Sequence, residues 1–130
     1  MLGNNANRLK RILILDDEEP IRRSLAAFFT DIGYDAYPLA TPPGALELLA
    51  VQSLDVAVVD LEMPEMNGIE FIIKAQVLQP SLKYVVYTGS LNHSLLKELE
   101  GLGIPHNLVL EKPLTSIGDM LEAVQQAYYE

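Results

Sequence analysis

Short apolar segments alternate with helical patterns along the chain, and five of them are predicted strands: residues 11–15, 34–39, 55–59, 83–87 and 107–110. Most are continuous apolar runs, such as RILIL and DVAVV. Such runs are typical of parallel strands, because both faces of a parallel sheet are covered. The second segment, YDAYPL, contains Pro38 and polar positions, so we expect it at an edge of the sheet.

The intervals between these segments carry apolar residues at helical spacing. The first has one apolar face and is followed by Gly33, which suits a helix C-cap; the face consists of Ile21, Leu25, Phe28, Phe29 and Ile32. Thr41 before two prolines marks the start of the second helix, and the remaining patterns cover residues 68–78, 91–102 and 117–128. The alternation predicts an α/β fold, a doubly wound five-stranded parallel sheet with helices on both faces.

A length of 130 residues suits one domain. The chain shows no internal repeat and no low-complexity tract. We therefore expect residues 10–130 to form a single domain and residues 1–9 to be a flexible N-terminal tail.

The composition narrows the possible functions. The hydrophobic fraction is 49%, which is ordinary for a globular protein, and the formal net charge is −9. This charge argues against direct binding of nucleic acid or an anionic membrane, and no apolar segment approaches the length of a membrane span. Cysteine is absent, which excludes disulfides and thiolate metal sites. The N-terminus lacks the apolar core of a signal peptide, so we expect a cytoplasmic protein.

Polar residues follow four of the five predicted strands. Asp16 and Asp17 follow the first, Asp60 the third and Thr88 the fourth, while Lys112 lies just after the fifth. In a flavodoxin-like sheet with the order 2-1-3-4-5 these four strands are neighbours, and ligands bind at their carboxyl ends. The sequence therefore predicts that these side chains converge on one crevice.

These motifs resemble those of response-regulator receiver domains, the phosphoacceptor modules of two-component signalling. The resemblance rests on the acid pair in ILILDDEEP, on Asp60 before LEMPEMNG, on Thr88 with Gly89, and on the EKP at residues 111–113. Each mark is common by itself, but their order and their positions at strand ends are specific. The resemblance covers the chain from about Lys10 to Tyr129.

The resemblance implies a Mg²⁺-dependent phosphoryl transfer onto Asp60. Three neighbouring carboxylates repel one another unless a cation intervenes, and Mg²⁺ prefers oxygen ligands. By resemblance, Asp17 and Asp60 bind the ion directly, Asp16 acts mainly through water, and the backbone carbonyl of Glu62 completes the protein ligands. Asp60 is then the nucleophile that becomes an aspartyl phosphate.

The resemblance also assigns roles to Thr88 and Lys112. The hydroxyl of Thr88 bonds the new phosphate, and Lys112 contacts a phosphate oxygen as a point charge. In this family a cis peptide bond before Pro113 orients the lysine. The implied partners are a histidine kinase or a histidine phosphotransfer protein as donor, and an output domain or protein downstream.

Two other functions remain open at this point. A phosphorylation-independent pseudo-receiver would keep the fold as an interaction module, although the intact acid pair, Thr88 and Lys112 count against it. A Mg²⁺-dependent phosphohydrolase would need a general acid or base, and apart from Glu62 and Glu65 the loop of Asp60 offers no second carboxylate and the sequence no catalytic His for that role. One departure from the family also bears on the mechanism: most receivers carry Tyr or Phe where this chain has Val109. Tyr87, beside Thr88, is interpreted as a packed strand residue, with compensation for the missing aromatic as the alternative.

Overall fold

A computed structural model describes residues 8–129 of the chain. The strands in this range are β1 (Arg11–Leu15), β2 (Asp35–Leu39), β3 (Val56–Val59), β4 (Lys83–Thr88) and β5 (Val109–Glu111). The helices are α1 (Glu19–Asp31), α2 (Pro42–Val51), α3 (Gly68–Leu78), α4 (His93–Gly101) and α5 (Ile117–Tyr129), and a short 3-10 helix, His106–Leu108, precedes β5.

The strands form one parallel sheet with the order β2-β1-β3-β4-β5. The predicted fold class and strand order are therefore confirmed. The proline-containing strand β2 lies at an edge, as expected, since a central strand would need the N–H that Pro38 lacks.

The core lies on the central strands. Every residue of β3 and the last four residues of β1 are buried, because helices cover both faces of the sheet. The largest fully buried side chains include Phe29 of α1, Phe71 of α3 and Met120 of α5. This continuous apolar packing holds the carboxyl ends of β1 and β3 in fixed positions.

Short polar side chains begin three of the helices. Thr41 caps α2 by accepting a hydrogen bond from the N–H of Gly44, and Asn67 and Asn92 cap α3 and α4 in the same way. Such caps satisfy backbone donors that the first turn leaves free. At the other end of α1, Gly33 adopts a positive φ of 94°, which confirms its predicted role in the cap.

Several predicted boundaries are wrong by one or two residues, including those of the last strand and the first helix. The strand predicted at residues 107–110 begins only at Val109, because the N–H of Leu108 bonds the carbonyl of Pro105 and closes a 3-10 turn. Ile32, predicted on the apolar face of the first helix, lies after the last residue of α1 and is 44% exposed. A helix that ends earlier than its periodicity suggests leaves the next apolar residue off the buried face.

Residues 1–7 of the predicted N-terminal tail lie outside the described residues, so the tail remains a prediction. The two described residues, Arg8 and Leu9, are not in a helix or strand, and Arg8 forms an ion pair of 2.8 Å with Asp55. Within residues 8–129 every helix is too short or too polar to cross a lipid bilayer.

Gly68, the first residue of α3, allows the loop after β3 to close tightly. Its N–H bonds the carbonyl of Leu61, and a Cβ at this position would lie 2.5 Å from Leu61 Cδ2 and 2.6 Å from Leu61 Cα. The carbonyl oxygen of Asp60 would be 3.0 Å away. Only a residue without a side chain permits this approach beside Asp60.

We therefore expect Gly68→Ala to lower the free energy of unfolding by about 2 kcal/mol, because the backbone of Leu61 must move. Urea denaturation measures this loss. Gly101→Ala is the matched control, since a Cβ there meets no atom within 4 Å, and it should be neutral or stabilising by about 0.5 kcal/mol. Equal effects of the two variants would contradict the tight approach at Gly68.

Candidate functional site

Three carboxylates meet at the carboxyl ends of β1 and β3. Oxygen atoms of Asp16, Asp17 and Asp60 all lie within 4.8 Å of one another. Asp16 and Asp60 are only 2% and 3% exposed, whereas Asp17 faces solvent. Two buried carboxylates at this distance need a compensating positive charge.

Backbone hydrogen bonds beyond the strand ends place these residues in register. The N–H of Asp60 donates to the carbonyl of Leu15, and the N–H of Lys112 donates to the carbonyl of Thr88. The sheet ladder thus continues by one residue past its strands. This continuation sets Asp60 and Lys112 at one edge of the sheet.

Lys112 supplies the positive charge. Its Nζ lies 2.9 Å from Asp16 Oδ2, 3.1 Å from Asp60 Oδ2 and 3.5 Å from a carboxylate oxygen of Glu18. The lysine side chain is 11% exposed, so water screens its pairs with the buried Asp16 and Asp60 weakly, whereas Glu18 is exposed. The peptide bond between Lys112 and Pro113 is cis, as the resemblance implied.

The pKa values of Asp60 and Lys112 reflect this environment. Burial raises the pKa of Asp60, although the N–H of Glu62 and the ammonium of Lys112 oppose the shift. Burial by itself would lower the pKa of Lys112, but hydrogen bonds and attraction to Asp16 and Asp60 outweigh it and raise the pKa. Lys112 therefore keeps its proton at neutral pH.

An open cavity of about 700 Å³ lies over this cluster. Asp17, Asp60 and Lys112 line it together with residues of α1, β4 and the neighbouring loops: Glu18, Ile21, Glu62, Tyr87, Gly89, Pro113 and Leu114. A phosphoryl group is small compared with this volume. The cavity brings the carboxylates of Asp17 and Asp60 and the ammonium of Lys112 to one solvent-accessible place.

Thr88 and Glu62 contact Ser90, whereas Asp16, Asp60 and Lys112 contact one another. Thr88 is fully buried at the end of β4, and its Oγ1 accepts a long bond of 3.4 Å from the N–H of Ser90. The Ser90 hydroxyl donates to Glu62 Oε2 at 2.6 Å, which joins the loops after β4 and β3. The predicted contact of Thr88 with phosphate and the predicted ligand role of the Glu62 carbonyl remain predictions.

Sequence reasoning missed three contacts at this site. Glu18 pairs with Lys112, Tyr87 lies beside the same lysine, and Arg22 Nη1 donates to the carbonyl of Asp16 at 2.9 Å. Arg22 lies six residues after Asp16 on the first helix, a signal that could have indicated this bond. The sequence singled out Tyr87 but did not indicate its contact with Lys112, because that contact depends on the path of the chain after β5.

The family described as "Response regulator receiver domain" matches residues 12–125. The chain belongs to this family. Val109, where most receivers carry an aromatic residue, is 8% exposed and pairs with Val86 in the sheet of this receiver.

Characterised relatives support the same conclusion. Sporulation initiation phosphotransferase F of Bacillus subtilis is 28% identical over 94 residues, which span 72% of this chain and 76% of that protein. A receiver domain protein of Methanospirillum hungatei, described as CheY-like, superposes with a TM-score of 0.86 at 28% identity and covers 94% of this chain and 95% of its own.

A response regulator of Burkholderia pseudomallei, crystallised with a phosphorylated aspartic acid, a calcium ion and citrate, superposes with a TM-score of 0.81. It is 25% identical, and the match covers 92% of this chain and 69% of that one.

We expect Lys112→Met to lower the free energy of unfolding at pH 7 by about 3 kcal/mol, because it leaves two buried carboxylates without their cation. Burial raises the pKa of Asp60 above its value in the unfolded chain, and loss of Lys112 raises it further. The folded variant then binds more protons than the unfolded one as the pH falls. Its stability deficit should therefore shrink between pH 7 and pH 5.

Denaturant titrations of both proteins at the two pH values measure this change. Lys97→Met, at an exposed position on α4, controls for the loss of one positive charge. A deficit that stays constant or grows on acidification would contradict the pairing of Lys112 with buried carboxylates.

Proposed function

We propose that this receiver accepts a phosphoryl group on Asp60 from a histidine kinase or a histidine phosphotransfer protein and thereby switches its interaction with an output domain or protein. The observation that carries the proposal is the meeting of Asp60, two further acids and Lys112 at one cavity. The phosphorylated aspartic acid in the Burkholderia relative supports it.

In the proposed transfer, a carboxylate oxygen of Asp60 forms a bond to phosphorus while the P–N bond of the donor's phosphohistidine breaks. The electron pair of that bond returns to the imidazole nitrogen. Lys112, already 3.1 Å from Asp60, then contacts an oxygen of the transferred group and offsets its charge. Asp60 loses its direct pairing with the ammonium as the phosphoryl group arrives.

The donor set also fits Mg²⁺, because it consists of carboxylate oxygens held close together. We propose that Asp17 and Asp60 bind the ion, with Asp16 acting through water and the Glu62 carbonyl as a further ligand. When bound, Mg²⁺ neutralises charge on the transferring oxygens. The exposure of Asp17 leaves it accessible to an ion from solvent.

The donor protein is proposed to dock over α1 and the loop after Lys112. A shallow groove beside the cavity supports this, since Ile21 and Leu114 line both. Its other lining residues are Pro20, Ser24, Leu25, Tyr87 and Ile117. A histidine-bearing surface seated there would lie next to Asp60.

Intact-mass measurement tests the proposed transfer. After incubation with a small acyl phosphate and Mg²⁺, wild type should gain the mass of one phosphoryl group, whereas Asp60→Asn should gain none. Asp31→Asn, an exposed aspartate at the end of α1, is the matched control and should be modified like wild type. No adduct on wild type would indicate a phosphorylation-independent interaction module, and continued turnover of donor without an adduct would indicate a hydrolase.

The metal site generates a second prediction. Lys112 pairs with Asp16, Asp60 and Glu18. Within the described residues it forms no such pair with Asp17, so the charge of Asp17 adds repulsion to the acid cluster. Asp17→Asn should therefore raise the thermal midpoint by a few degrees in metal-free buffer and weaken the stabilisation by added Mg²⁺.

Thermal unfolding with a chelator and with a Mg²⁺ series measures both effects. Glu47→Gln removes the same charge at an exposed position on α2 and should leave the Mg²⁺ response unchanged. A lower midpoint for Asp17→Asn without metal would show that the acids do not repel one another.

A further inference from the structure

Tyr87 is a buried aromatic residue at the edge of the cavity. It is the next-to-last residue of β4, is 6% exposed, and pairs in the sheet with Leu110 of β5. It lines both the cavity over Asp60 and the groove beside α1. A tyrosine that only filled the core would not have to contact the charged cluster.

Two contacts connect Tyr87 with the segment that carries the lysine. The Nζ of Lys112 lies 5.3 Å from the centre of the Tyr87 ring, within the range of a cation–π interaction. The Tyr87 hydroxyl accepts a hydrogen bond of 3.3 Å from the N–H of Leu114. One side chain thus touches the charged tip of Lys112 and the backbone two residues after it.

We propose that Tyr87 is a positioning residue that holds the ammonium of Lys112 in place for the phosphoryl group. This proposal rests on the proposed function of the site. It assigns to Tyr87 a role in the transfer that strand packing does not require.

The need for such a residue follows from the nature of lysine. Four methylene groups give its ammonium wide freedom, and ordering that side chain costs conformational entropy. Carboxylates order it only until a phosphoryl group arrives on Asp60 and changes the charges around it. An aromatic face attracts the ammonium without using any of its N–H donors, so all three remain free for oxygen atoms.

The hydroxyl contact has a separate effect. The bond from the N–H of Leu114 fixes the backbone after Pro113, and this backbone sets where the Lys112 side chain starts. Ring and hydroxyl therefore act on the two ends of one segment. The ring acts directly on the ammonium, so loss of the ring should slow phosphoryl transfer more than loss of the hydroxyl does.

The test compares Tyr87→Leu, which removes the ring, with Tyr87→Phe, which keeps it. The same changes at Tyr84 are matched controls: Tyr84 lies on the same strand, is 4% exposed, and its hydroxyl has no hydrogen-bond partner in the described range. Two readouts are the rate of adduct formation at saturating acyl phosphate and Mg²⁺, and the ¹⁵N NMR signal of the Lys112 ammonium.

We expect Tyr87→Leu to form the adduct about tenfold more slowly, which matches the loss of a desolvated cation–π contact. Its ammonium signal should disappear through faster exchange with water. Tyr87→Phe should stay within about threefold of the wild-type rate and keep the signal. The Tyr84 variants should resemble wild type in both readouts.

The proposal is overturned if Tyr87→Leu keeps the wild-type rate and ammonium signal, or if Tyr84→Leu loses as much as Tyr87→Leu. If Tyr87→Leu does not fold, Tyr87→Met, which is also without an aromatic face, carries the same expectations. If wild type accepts no phosphoryl group, the proposed function fails. The ammonium signal then still decides whether Tyr87 holds Lys112, because it needs no transfer.

Discussion

The ion pairs between Lys112 and the buried carboxylates of Asp16 and Asp60 are the interaction on which the rest of the site depends. Both acids are almost completely shielded from water, so ionising either of them without a nearby cation would cost much free energy. Lys112 meets that need and still leaves the cluster short of positive charge. The three clustered carboxylates therefore keep a net negative charge beside the single ammonium of Lys112.

The parallel sheet is what makes this arrangement possible. Asp16, Asp60 and Lys112 are far apart in the chain, but they follow the ends of β1, β3 and β5. Neighbouring parallel strands have their carboxyl ends at one edge of the sheet. The backbone N–H groups of Asp60 and Lys112 donate to the last residues of β1 and β4 and extend the sheet by one residue at that edge. The packing of the apolar core beneath them therefore fixes the distances between the charged side chains.

The loops around this edge supply the adjustable part of the site. The Glu62–Ser90 hydrogen bond joins two of them across exposed positions, and Tyr87 connects β4 with the segment after Lys112. Binding and switching residues commonly lie on loops of this kind, because loops on a rigid sheet can move without disturbing the core. Val109 supplies no aromatic ring on β5, and the aromatic ring beside Lys112 belongs to Tyr87 on the neighbouring strand β4.

The sequence by itself determined the class of fold, the edge position of β2 and the identity of the residues at the strand ends, because continuous apolar runs and a strand proline are local signals. It also indicated Asp60 and Lys112 through motifs that this family shares. It could not separate buried Asp16 from exposed Asp17, which are adjacent and chemically identical. Nor could it indicate the pairing of Glu18 or Tyr87 with Lys112, or the 3-10 turn before β5. Those features depend on which side chains the packed chain brings within a few ångströms, and only the tertiary structure decides that.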